Sequence, residues 1–127
     1  MWQQFNVNPK YQHVGDCVIR AISFALNQEW DKTYIGIAAK GLAMKDMPSS
    51  NNVWAAYLKE KGWVREALPD TCPECYTISD FASDHNQGVF IVAAQSHVVA
   101  VRDGDYFDTW DSGAEPAIYY WHKKEDG

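Results

Sequence analysis

His97-Val98-Val99-Ala100-Val101-Arg102-Asp103-Gly104-Asp105-Tyr106-Phe107-Asp108 is the stretch on which the fold turns. A valine-rich run, an Asp-Gly pair and a second short run predict an antiparallel hairpin, with strands at 97–102 and 106–110. Loop length sets its register. A two-residue loop pairs Arg102 with Asp105, Val99 with Asp108 and His97 with Trp110, so that His97 and Asp108 share a face as diagonal neighbours. A three-residue loop puts Asp111 opposite His97 and turns Asp108 away. Either register gives the histidine a carboxylate on its own face. Such a carboxylate orients the imidazole and stabilises its protonated form; its other uses are to cap a turn or to pair with Arg20 or Arg102.

On either side of the hairpin the chain continues as sheet. Residues 89–94, Val-Phe-Ile-Val-Ala-Ala, are a short apolar run that predicts a buried strand. Asp111-Ser112-Gly113 turns the chain, and 117–122 predicts a last strand before a loose tail at 123–127. Upstream lie helices. Residues 16–27 carry Val18, Ile19, Ile22, Ala25 and Leu26 at three- and four-residue steps, with Asp16 as the expected N-cap. A second helix is predicted at 30–44 with Asp31 as its cap, a third at 52–61 after Ser50, and a short fourth at 78–83 behind Thr77-Ile78-Ser79-Asp80. Residues 1–14 and 63–76 show neither period. Helices followed by an antiparallel sheet predict a single α+β domain over 1–127.

Composition narrows the function classes. The net charge is -6, and no basic cluster reverses it locally, which argues against nucleic-acid backbones and anionic membranes as partners. No run approaches the roughly 20 apolar residues of a membrane span. The first nine residues are polar and lack the regions of a secretory signal, so the expected compartment is the cytoplasm. The aromatic content of 14% belongs to a folded chain, and fills either a core or a groove.

There are three cysteines. Cys72-Pro73-Glu74-Cys75 has zinc-like spacing, with His85 as a third ligand, but a closed structural site needs four. The expectation is a loop with two incidental thiols ahead of a redox pair or a metal site, and no cofactor. Cys17 differs. In the first turn of a helix a thiol sees the positive end of the dipole, and free N–H groups there can stabilise an oxyanion. Gly15 beside it lets a substrate backbone come close. The plain alternative is a small apolar residue in a core.

Gly15-Asp16-Cys17 leading into an apolar helix, followed in the chain by His97 on a valine strand and Asp108 after a tight turn, resembles the papain-like cysteine peptidase superfamily. The likeness is to its compact bacterial and phage-borne members and to bacteriocin-processing peptidases. The resemblance implies helices packed on an antiparallel sheet and a hydrolase cleaving a peptide, amide or isopeptide bond. It implies Cys17 as nucleophile, His97 as base and later acid, and Asp108 as the orienting residue. It also implies a glutamine upstream that donates to the oxyanion, for which Gln12 is the candidate at slightly short spacing; His13 is read as a loop residue. The expected partner is a peptide or protein substrate. The competing expectation is a catalytically inactive binding module with an aromatic groove formed by Trp54, Tyr57, Trp63 and Trp110.

Overall fold

A computed structural model describes residues 1–12 and 14–124. His13 and residues 125–127, read from the sequence as loop and tail, lie outside the described residues. The described chain forms β1 (Trp2–Gln4), α1 (Cys17–Leu26), α2 (Trp30–Met44), α3 (Asn51–Glu60), β2 (Trp63–Ala67), α4 (Ile78–Asp84), β3 (Val89–Ala93), β4 (Val98–Arg102), β5 (Asp105–Asp108) and β6 (Tyr119–Lys123). The six strands make one sheet in the order β1-β5-β4-β3-β6-β2. Every neighbouring pair is antiparallel except β1 and β5, which run parallel. The fold is therefore α+β, as the hairpin predicts.

The hairpin takes the two-residue register. Arg102 pairs with Asp105, Val101 with Tyr106 and Ala100 with Phe107. Asp103 and Gly104 have φ of 50° and 88°, the left-handed pair that matches the twist of the flanking strands. Asp103 Oδ1 also accepts the Gly88 N–H at 2.8 Å, which ties this turn to the one before β3.

β3 and β4 are continuously apolar because both faces of the sheet are covered. Ile91, Ala93, Val98, Ala100 and Trp121 pack under α1, α2 and α3. Val92, Val99, Val101 and Tyr106 pack against Ile78, Phe81 and Ala82 of α4 on the opposite face. Each fully buried aliphatic side chain here contributes about 1.5–3 kcal/mol. α4 is short and is fixed at its start by a capping box: the Thr77 hydroxyl accepts the Asp80 N–H and the Asp80 carboxylate accepts the Thr77 N–H.

Several expectations are corrected. The sheet is neither wholly antiparallel nor wholly C-terminal, because β1 and β2 come from segments that carry no period. β2 buries Trp63 and exposes Arg65, Glu66 and Ala67, so it shows too little alternation to be read. Glu29 occupies the N-cap position of α2 without a side-chain capping bond, and Asp31 lies inside its first turn. The aromatic groove is absent: Trp54, Tyr57 and Trp63 are 1%, 5% and 6% exposed and belong to the core beneath the helices, whereas Trp110 is exposed. Cys72 and Cys75 are joined to each other in a disulfide, and His85 Nδ1 bonds to the Phe81 carbonyl. The sulfurs are thus neither two free thiols nor part of a ligand set with His85. No helix among the described residues is long and apolar enough to cross a membrane.

Candidate active site

Cys17 is the first residue of α1, His97 immediately precedes β4, and Asp108 ends β5. β4 lies directly under α1 and beside β5, so the fold brings the three together at one end of the sheet. His97 Nε2 lies 2.5 Å from Asp108 Oδ2. Nδ1 is the nitrogen left for the Cys17 thiol, and each of the two side chains shifts the titration of the other. Trp110 lies against the imidazole with ring centroids 5.0 Å apart.

Asp108 is 2% exposed and saturated with donors. Besides His97, its carboxylate accepts the Ser112 hydroxyl at 2.7 Å and the Thr109 N–H at 2.8 Å. Its backbone carbonyl accepts the Phe5 N–H at 2.9 Å and the Trp2 indole N–H at 3.1 Å. Asp111, the alternative partner of His97, accepts instead from the Tyr106 hydroxyl at 2.5 Å and the Gly113 N–H at 3.1 Å. That clasp shapes the turn from which Ser112 reaches Asp108.

Gly113 is part of the same clasp, since a Cβ there would stand 2.1 Å from the Tyr106 hydroxyl oxygen. Gly113→Ala must push the ring or the turn aside. Overpacking of this kind costs about 1–3 kcal/mol, which corresponds to a fall in Tm of about 4–12 °C. Thermal unfolding followed by circular dichroism checks it, and an unchanged Tm would show that the turn yields freely.

The charges at the centre reinforce one another. Burial by itself raises the Cys17 thiol, but the bond to His97, a backbone bond from Val98 and the positive charges of His97 and Arg20 outweigh it, and the thiol lies below its ordinary value. Burial by itself lowers His97; the bonds to Asp108 and Cys17, and their negative charges, reverse this and raise it to about 9. Burial raises Asp108, but the bonds from His97, Ser112 and Thr109 keep it below the usual carboxylate range. The arrangement favours thiolate beside imidazolium beside carboxylate.

Asp16 departs from its expected task. It occupies the N-cap position, yet its side chain makes no capping bond. The carboxylate accepts instead from Arg20, from the Trp30 indole at 2.9 Å and from Asn8 Nδ2 at 3.3 Å. The first N–H groups of α1 lack intrahelical acceptors, and Asp16 leaves them uncapped beside Cys17. Asp16, Asn8 and Ser112 were not recognised in the sequence as parts of this centre, and Arg20 was considered only as a partner for the hairpin carboxylate, which it is. The available signal for Asp16 was its spacing of four from Arg20 at the start of α1.

Two recesses meet at the thiol. One, of about 520 Å³, is lined by Val18, Ile19, Tyr34, Ile37, Ile118 and Tyr119 among others. The other, of about 320 Å³, is bounded by Val14, Arg20, Thr109 and Trp110. Gly15, Cys17, Ser96 and His97 line both. Gln12 is exposed and lines neither. It follows a tight turn in which Asn8 accepts the Lys10 and Tyr11 N–H groups. Gln95, on the turn before His97, does line the larger recess. Comparison of the chain with protein-family models, with curated proteins and with solved structures finds no match.

Proposed function

We propose that the chain is a thiol-dependent hydrolase of papain-like layout, cleaving a peptide, amide or isopeptide bond through an acyl-enzyme. The observation that carries this reading is His97, held by Asp108 through Nε2 and lining, together with the Cys17 thiol, the junction of two recesses. A structural histidine has no need of a buried carboxylate on one side and a thiol facing a cavity on the other.

In this mechanism the substrate carbonyl lies over Cys17, its acyl and amine portions occupying the two recesses. The Cys17 thiolate attacks the carbonyl carbon. The oxyanion meets the uncapped N–H groups at the start of α1, where the helix dipole adds its positive end. Imidazolium His97 gives its Nδ1 proton to the leaving amine, the C–N bond breaks, and a thioester remains on Cys17. His97, now neutral, takes a proton from water as the water attacks the thioester, and the acid product leaves. Asp108 holds the imidazole in position and stabilises its charge throughout.

Iodoacetamide labelling of Cys17 against pH, read by peptide mapping, tests the proposal. Labelling is expected to set in below the ordinary thiol value of about 8.5. The His97→Ala variant is expected to shift the onset back towards that value. A wild-type onset at 8.5 or above would remove the thiolate and the proposal with it.

A further inference from the structure

Resting on that reading, we infer that Arg20 is a positioning residue for the reaction, clamping the start of the nucleophile's helix to the carboxylate that orients the base. Arg20 is 8% exposed and sits one turn into α1 from Cys17. One arm of its guanidinium bonds Asp16, the residue next to Cys17; the other, Nη2, lies 3.5 Å from Asp108 Oδ1. A single rigid fork thus spans two buried carboxylates on separate elements, one adjoining the nucleophile and one bonded to the base.

The groups around it leave the guanidinium no other task. From α1 it faces Asp16 and Cys17, and from β5 it faces Asp108. Asp16 is itself steadied by Trp30 of α2 and Asn8 of the N-terminal segment. His97 lines the same recess from the start of β4. Two carboxylates, the imidazolium, the thiolate and Arg20 form a cluster in which each sign has an opposite neighbour. Removing Arg20 leaves two buried carboxylates without their shared cation and takes a positive charge from the thiol. It also removes the ionic tie between α1 and β5, leaving the stack of Phe24 on Phe107 to hold them. Lysine keeps the charge but lacks the planar fork that reaches both partners.

The test compares wild type, Arg20→Gln and Arg20→Lys, each checked for folding by circular dichroism. The readout is the pH midpoint of iodoacetamide labelling at Cys17, which a purely structural role would not move. Arg20→Gln is expected to raise the midpoint measurably, so that labelling slows at any pH below both midpoints. Arg20→Lys is expected to raise it by a smaller, measurable amount. A folded Arg20→Gln variant with the wild-type midpoint would overturn the inference. Should Arg20→Gln not fold, Arg20→Lys decides, and an unchanged midpoint there overturns it equally. A wild-type midpoint near 8.5 instead counts against the proposed hydrolase itself, so the two failures are distinguishable.

Discussion

Cys17→Ala is expected to abolish hydrolysis while leaving the fold in place. Loss of the nucleophile from a unit of this kind lowers kcat by at least about 10⁴-fold, because base and orienting residue have nothing to activate. The structural cost is small. Cys17 is only partly buried and lies at the rim of the helical core, and alanine removes one sulfur from a site open to a cavity. His97 keeps its bond to Asp108. Turnover of a peptide or amide substrate and thermal unfolding are measured together. Retained turnover would place the chemistry elsewhere, and a collapse of the fold would make Cys17 a packing residue.

Turnover in the wild type should follow a bell in pH. The acid limb reports formation of the thiolate and lies below the ordinary thiol value, since Cys17 is lowered. The alkaline limb falls as His97 loses the proton that the leaving amine requires, near 9. These are properties of the Cys17–His97 pair, not of either residue alone.

Asp108→Asn is expected to lower turnover by about 10³–10⁴-fold and to destabilise the fold by about 3–5 kcal/mol. The carboxylate takes donors only: His97, Ser112, the Thr109 N–H and the Arg20 arm. An amide supplies one acceptor and an NH₂ group that must face a donor. One contact is therefore lost or repulsive, and Arg20 retains only Asp16. The pH dependence of stability should change too. Asp108 is lowered in the folded protein, so its contribution is present above its unfolded value and disappears as pH falls through its folded value. Denaturant unfolding against pH should show this acid loss in the wild type and its attenuation in the variant. Equal stability and equal acid sensitivity in both would refute this account of Asp108.

Much of this was legible where the signals are local. The Asp103-Gly104 turn announced the hairpin and narrowed it to two registers; the structure selects the two-residue one, from which the meeting of His97 and Asp108 follows. Helix bounds at 30–44 and the capping box at Thr77 were likewise written in neighbouring residues. β1 was not legible: it is three residues long, and it pairs with residues more than 100 positions away. Nor was the use of Asp16. Its local propensity is to cap, but a buried arginine one turn on is a stronger partner than a backbone amide. Gln12 matched a family habit rather than a physical requirement of its own segment, and the turn at Asn8 carries it to the surface.

The strand order also bears on when the reactive thiol comes into being. Cys17 leaves the ribosome well before His97 and Asp108, which lie some 80 and 90 residues further along the chain. β1 has no partner until β5 follows. In the proposed hydrolase the cysteine is therefore unactivated until β4 and β5 have been made and have folded against α1. On the proposed function, chains released before β5 would lack the activated thiol and leave the peptides around them intact.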